Sequence, residues 1–203
     1  MAEGLPLVTV CVPTIGRATT LAATLASLAQ QSYAECEILL LDNAAPTVAA
    51  TLLDDFARSD PRARVLRSAK RIDMFDNFQR GVDAGRGRYL TFFQDDDVYS
   101  EDFIAAHVAL LEAQPSVAFS GSNCVVIDGD GRHLSNRDLV LRTEVWSGWR
   151  YIESLFTLGN NILPMPAILF RRSLLGVSTF GPSQGIHFSD FFLLMRLPDE
   201  HDA

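Results

Sequence analysis

The sequence predicts an α/β fold: a mostly parallel sheet with helices on both faces. Three observations carry that expectation. Short apolar runs that read as buried strands alternate with helix-patterned stretches across residues 7–113. Two of those runs stop at carboxylates, Glu37–Leu41 at Asp42-Asn43 and Arg88–Phe93 at Gln94-Asp95-Asp96-Asp97. The 203 residues, 48% of them hydrophobic, suffice for a sizeable core in one domain. In such sheets ligands bind outside the carboxyl ends of the strands, so the two acidic tips can share one crevice.

The elements follow in order. Leu7–Val12 is a short strand, apolar on both faces and ended by Pro13-Thr14-Ile15-Gly16-Arg17. Thr19 or Thr20 can cap the next helix, whose Leu21, Leu25 and Leu28 fall on one face. After the strand ending at Asp42, Pro46 and Thr47 open a helix with Val48, Leu52 and Phe56 toward the core. Asp60-Pro61 marks a turn, and Val65-Leu66 a short strand. Phe75, Phe78 and Val82 predict a helix ended near Gly85 and Gly87. The carboxylate-tipped strand follows. A helix from about Ser100 to Ala113 buries Phe103, Ile104, Leu110 and Leu111 and leaves His107 exposed.

The second half is smaller and less regular. Val117–Ser120 and Val125–Ile127 are strand-like, and Asp128-Gly129-Asp130-Gly131 reads as a hairpin turn. A calcium loop there would need a closing acid that is missing. Trp146, Trp149, Ile152 and Phe156 predict an amphipathic helix. Gly159–Pro166 is an irregular loop, Ala167–Phe170 a strand, and Arg171-Arg172-Ser173 starts a short helix. His187–Asp190 leads into a helical run, Phe191–Leu197. With no repeat or linker, residues 1–203 read as one domain with halves 1–114 and 115–203.

Composition excludes some roles. A formal net charge of −8 argues against nucleic acid, whose phosphates want a basic face. Cys11, Cys36 and Cys124 are odd in number and lie in apolar surroundings, as buried free thiols of a reducing compartment do. No apolar run reaches the roughly 18 residues of a membrane span, and no signal peptide precedes Leu5. A cytoplasmic protein is expected, with peripheral docking to a membrane or protein partner left open.

Asp95, Asp96 and Asp97 repel one another and would be rejected by a packed interior unless paired or metal-bound. Helix capping does not require them, because Ser100 and Glu101 can do that. Hard oxygen ligands at a strand tip suit Mg²⁺ or Mn²⁺, which often holds substrate phosphates.

The pattern from Val8 to Leu197 resembles the family 2 glycosyltransferases, inverting enzymes of the Rossmann-like GT-A fold. Its parts are the strand with Pro13-Thr14 and Arg17, the strand ending Asp42-Asn43, and the Asn77 helix with Gly87-Arg88-Tyr89. They continue with Gln94–Asp97, Pro166–Arg172, and Ser189-Asp190-Phe191 with Arg196.

The resemblance implies an enzyme that moves a sugar from a nucleotide-diphosphate donor to a saccharide or lipid-linked acceptor, in polysaccharide or glycoconjugate synthesis. Asp95 would lie near the ribose, Asp96 would be the main Mn²⁺ or Mg²⁺ ligand, and Asp97 would assist it. The literal Asp-x-Asp pair is Asp95 and Asp97, so the principal ligand stays open between Asp96 and Asp97. Pro13 and Thr14 would present backbone to the nucleotide, and Arg17 would meet base or phosphate, unless it is a surface charge. Asp42 and Asn43 would accept a pyrimidine N–H, which suits a UDP- or dTDP-linked donor; a simple turn residue is the other reading of Asp42. Asn77 belongs to the same nucleotide-sugar-binding set. Asp190 would be the catalytic base, with a helix N-cap as its structural alternative. Asn160, Asn161 and His187 either face the acceptor or serve their loops, and Trp146 and Trp149 either stack on sugar or pack in the core.

Other readings fit less well. A sugar nucleotidyltransferase wants a glycine-rich phosphate loop where this chain has one glycine, and an oxidoreductase wants Gly-x-Gly-x-x-Gly. A catalytically weak nucleotide-sugar-binding module remains, because family members usually continue past the last helix.

Overall fold

A computed structural model describes residues 4–138, 140–158, 163–176, 179–180 and 193–194. The first half alternates strictly: β1 (Val8–Thr14), α1 (Ala18–Ala29), β2 (Cys36–Asn43), α2 (Thr47–Ser59), β3 (Ala63–Ser68), α3 (Met74–Ala84), β4 (Tyr89–Phe92) and α4 (Phe103–Ala113). Then come β5 (Phe119–Gly121), β6 (Cys124–Ile127), β7 (His133–Arg137), α5 (Gly148–Leu158) and β8 (Ile168–Arg171). Six strands form one sheet in the order β3-β2-β1-β4-β8-β5, and β6 and β7 pair separately as a hairpin around the Asp128–Gly131 turn.

β1, β2, β3 and β4 are mutually parallel, as the alternation requires, because helical crossovers return each strand in the same direction. β8 departs from that pattern. It inserts antiparallel between β4 and β5, with Tyr89 opposite Arg171 and Thr91 opposite Leu169.

Both faces of the inner strands β1, β2 and β4 are covered, which is why they read as apolar runs, whereas the edge strand β3 is only half-buried. Val8, Val10, Val12, Ile38 and Leu40 pack on one face against Leu21, Leu25 and Leu28 of α1, Leu53 of α2, and Ile104 and Leu111 of α4. Cys11, Leu39, Leu41, Leu90 and Phe92 point the other way, against Phe75, Phe78 and Val82 of α3 and Tyr151 and Leu155 of α5. The Phe78 and Phe92 rings stack at 4.8 Å. Each large side chain buried in this way contributes roughly 1.5–3 kcal/mol.

Gly87 is a steric requirement. A Cβ there would lie 2.5 Å from the Thr9 backbone nitrogen, and its N–H donates to Thr9 Oγ1 at 2.9 Å. This close approach sets the register of β4 against β1.

Several faces differ from expectation. α2 buries Ala49 and Leu53, while Val48 is exposed. Neither Thr19 nor Thr20 caps α1; Arg17 holds the cap position, with no side-chain cap bond. α4 buries His107 and Val108 and leaves Leu110 partly exposed. α5 buries Tyr151 and Leu155, one turn apart, whereas Trp149 is 75% exposed and Phe156 also faces out. Cys11 and Cys36 are buried free thiols, but Cys124 is only half-buried. No helix among the described residues is long and apolar enough to cross a membrane.

Candidate active site

The site forms where β1 outruns β4. Cys11 is opposite Phe92, and the Phe93 N–H still donates to the Cys11 carbonyl at 2.8 Å. The continuations of both strands, Pro13-Thr14 and Gln94-Asp95, therefore emerge side by side at the carboxyl end of the sheet. Thr14 Oγ1 donates to Asp95 Oδ2 at 2.5 Å and accepts from the Gly16 N–H at 2.9 Å. Gly16 has φ +97°, and a Cβ there would collide with Pro46 and Ala45. Only glycine lets the turn press against the loop after β2.

Arg17 follows directly. Its guanidinium spans two carboxylates, Asp95 Oδ1 at 2.5 Å and Asp96 Oδ2 at 2.6 Å. Asp95 is 2% exposed and has both oxygens engaged, whereas the Asp96 side chain is 42% exposed. Burial pushes the Asp97 carboxyl up to about 6; the Asp96 charge adds to this, Arg17 opposes it, and Asp95 adds a little.

Two residues that the sequence reading passed over brace the acids. Thr24 of α1 donates to the Asp97 carbonyl at 2.8 Å, with Gln94 O at 3.2 Å. The Tyr99 hydroxyl accepts from the Gln94 N–H at 3.0 Å, and its ring stacks on Phe93 at 3.5 Å. Thr24 was findable, since it shares the buried stripe of Leu21, Leu25 and Leu28, and a buried hydroxyl needs a partner.

The end of β2 lies beside Thr14, which is paired with Asp42. Asp42 is 3% exposed. Its Oδ1 accepts from the Ala45 N–H at 2.8 Å, and its Oδ2 lies 3.3 Å from Arg67 Nε. A carboxylate keeps further lone pairs for a ligand. Asn43 is clamped to Ile72, donating to its carbonyl at 2.9 Å and accepting from its N–H at 2.8 Å. Buried Asn77 donates to the Leu41 carbonyl at 3.2 Å and accepts from Arg80 at 2.8 Å. Both asparagines frame the tip of β2 from within. Pro13 is buried in β1 opposite Leu41.

Arg171 and Arg172 lie at the other end of the sheet, because β8 runs antiparallel. Arg171 caps carbonyls of Val117, Leu111 and Gln114, and Arg172 donates to Gly87 O at 2.6 Å. A pocket of about 410 Å³ opens beside β5, lined by His107, Leu111, Phe119, Ser120, Trp146 and Tyr151. Trp146 is partly buried there, with the Arg150 guanidinium 4.2 Å over its ring. Asp190, His187, Asn160 and Asn161 lie outside the described residues.

Among the described residues, no three His, Cys, Asp or Glu side chains converge on one point. A cation held here would therefore take one or two carboxylates and complete its shell with phosphates and water, as Mg²⁺ commonly does. The residues present fit that: all donors are hard oxygens, Asp96 is half-exposed, and a cation would offset the burial and the Asp96 charge that raise Asp97.

A Rossmann-like sheet with one antiparallel strand beside an acidic β4 tip is the GT-A architecture. Residues 9–176 match Glycosyl transferase family 2, and the chain belongs to that family. A PGL/p-HBAD biosynthesis glycosyltransferase of Mycobacterium bovis is 26% identical over 181 residues, 87% of this chain and 63% of that protein. An uncharacterized Sinorhizobium fredii protein, y4gI, is 32% identical over 136 residues, 64% of this chain but 15% of its own length. The chain thus spans less than two thirds of these relatives. Among solved structures, S. aureus TarS 1–349 superposes with a TM-score of 0.73 at 15% identity, over 96% of this chain and 56% of that one. The Pyrobaculum calidifontis mannosyltransferase PcManGT, in complex with GDP-Man and Mn²⁺, gives 0.61 at 16% identity, over 85% and 46%.

Proposed function

We propose that this chain carries the donor site and the reaction centre of a metal-dependent, inverting glycosyltransferase. It would move a sugar from a nucleotide diphosphate to a hydroxyl of a saccharide or lipid-linked acceptor, in polysaccharide or glycoconjugate synthesis. One observation carries the reading: Thr14, Arg17, Asp95 and Asp96 converge at the carboxyl ends of β1 and β4, within the family-matched segment. Solved relatives support a nucleotide-sugar donor, since TarS 1–349 was also determined with UDP-GlcNAc and PcManGT with GDP-Man.

In this reading Asp96, assisted by Asp97, holds Mn²⁺ or Mg²⁺. The cation supplies neutralisation of the charge that builds on the diphosphate as it leaves. Asp95, fixed by Thr14 and Arg17, faces the ribose. Pro13 and Thr14 present backbone to the nucleotide, and Arg17 reaches the phosphates. Asp42 accepts from the base, favouring UDP or dTDP, while Asn43 and Asn77 stiffen the wall of that pocket. Asp190 takes the proton from the acceptor hydroxyl as it attacks the anomeric carbon.

Calorimetry with UDP, dTDP and GDP, each with and without Mn²⁺, tests the donor site. Asp96→Ala should abolish the Mn²⁺-dependent part of the affinity and leave the fold intact, because Asp96 is an exposed strand-tip residue. Unchanged affinity in that variant refutes the metal assignment. Donor binding without sugar release to water or acceptor would instead leave a binding module.

A further inference from the structure

The guanidinium of Arg17 sits between Asp95 and Asp96, on the carboxylates to which the proposed donor chemistry assigns a divalent cation. We propose that Arg17 is a built-in counter-cation: it neutralises the acidic tip in the ligand-free protein, is displaced from Asp96 by the incoming divalent cation, and is thereby released to the donor diphosphate. The inference rests on the metal-dependent reading above and adds a competition to it.

The two arms of the bridge are unequal. Asp95 is buried and also receives the Thr14 hydroxyl, so that arm is anchored. Asp96 is 42% exposed and Arg17 is 51% exposed, so the other arm lies in water. Exposed ion pairs are weak and yield to a stronger cation. Arg17 also pivots on a fixed backbone. Gly16 before it is pressed against Pro46 and Ala49, and Ala18 after it begins α1. The half-exposed side chain reaches both acids from this anchored position. A cation that breaks the Asp96 arm frees a planar, five-donor fork suited to phosphate oxygens. Metal and nucleotide then bind cooperatively, and by linkage each tightens the other by the same factor.

The magnitude follows from charge. A guanidinium about 5 Å from a divalent ion in water-like surroundings lowers the ion's affinity by about tenfold. Removing that charge should therefore tighten Mn²⁺ binding when no nucleotide is present. A merely structural arginine predicts the reverse, since its loss would disorder the acids.

The experiment is a Mn²⁺ titration followed by electron paramagnetic resonance, on the parent, Arg17→Gln and Arg17→Lys, alone and with UDP, dTDP or GDP. Arg17→Gln should bind Mn²⁺ about tenfold tighter than the parent without nucleotide, and should lose most of the further tightening that nucleotide gives. Arg17→Lys, with a charge but no fork, should fall between the two and covers the case in which the glutamine variant folds poorly. Equal or weaker Mn²⁺ binding by folded Arg17→Gln overturns the proposal while leaving the metal site standing, provided the parent binds Mn²⁺ with nucleotide. A parent that binds no Mn²⁺ with any of the three nucleotides overturns the metal reading and this inference with it.

Discussion

Acidification should destabilise the protein through one side chain, His107. It is 3% exposed, on the inner stripe of α4, with Nδ1 2.7 Å from Ser120 Oγ and its ring 4.4 Å from that of Phe103. Burial pulls its pKa down to about 4, the Ser120 hydrogen bond opposing only weakly. The folded state therefore keeps a neutral imidazole while the unfolded chain, titrating near 6.5, takes up a proton. The histidine costs nothing above roughly pH 6.5; stability falls as pH drops from there and levels off below about 4. Between about pH 7.5 and pH 5 the loss is about 2 kcal/mol, from 1.36 kcal/mol per pH unit over roughly 1.4 units of differential protonation. The Phe103 ring gives an imidazolium some cation–π relief, which makes that figure an upper one.

Asp97 slopes the other way. Its carboxyl is raised, so the folded state gains stability as pH falls through about 6. The parent curve alone mixes the two. Urea unfolding of the parent and of His107→Gln at both pH values separates them, because glutamine can bond Ser120 and does not titrate. The parent should lose about 2 kcal/mol more than the variant, a shift of roughly 4–8 °C in Tm for a chain of this size. Parallel losses in both proteins would refute the reasoning and put His107 in contact with water.

Two further predictions concern the site. Asp42→Ala should weaken UDP binding by about tenfold or more, the loss of one hydrogen bond to a charged group, and leave pyrophosphate binding unchanged; equal losses for both ligands in calorimetry would make Asp42 scaffold. Asp190→Asn should cut transfer by roughly 10²-fold with donor affinity unchanged, measured with the true acceptor; transfer at the parent rate returns Asp190 to a capping role.

The sequence announced the first half of the fold because β1, β2 and β4 are buried on both faces and read as apolar runs, and turn residues separate them from the helices. Asp42-Asn43 was placed by the same logic, as a strand end, whereas Gly87 read only as a helix stop and its close approach to Thr9 showed once β1 and β4 were paired. Helix faces were less legible. α4 is apolar nearly all round, so its periodicity has no phase, yet His107 lies four residues after Phe103 and four before Leu111. In α5 the largest side chains drew attention to Trp149 and Phe156, whereas the pair that meets the core is Tyr151 and Leu155. The antiparallel insertion of β8 rests on pairings between residues nearly 80 positions apart, which no local pattern encodes. At the site, the acids and Arg17 stood out by charge. That one guanidinium would span Asp95 and Asp96 depended on the three-residue overhang of β1, a register visible only once the strands are paired.

The insertion of β8 also gives the chain a timetable. Synthesis proceeds from the N-terminus at roughly 5–20 residues per second, so β4 emerges about 4–16 s before the strand that covers it. At the start of that interval β1–β4 have only α1–α3 beside them, α4 and α5 following before β8, and the border of β4 that β8 covers presents unpaired N–H and C=O groups. An open border of this kind is a template for any neighbouring nascent chain. Lowering the translation rate lengthens the exposure, which ends only when the four residues of β8 arrive.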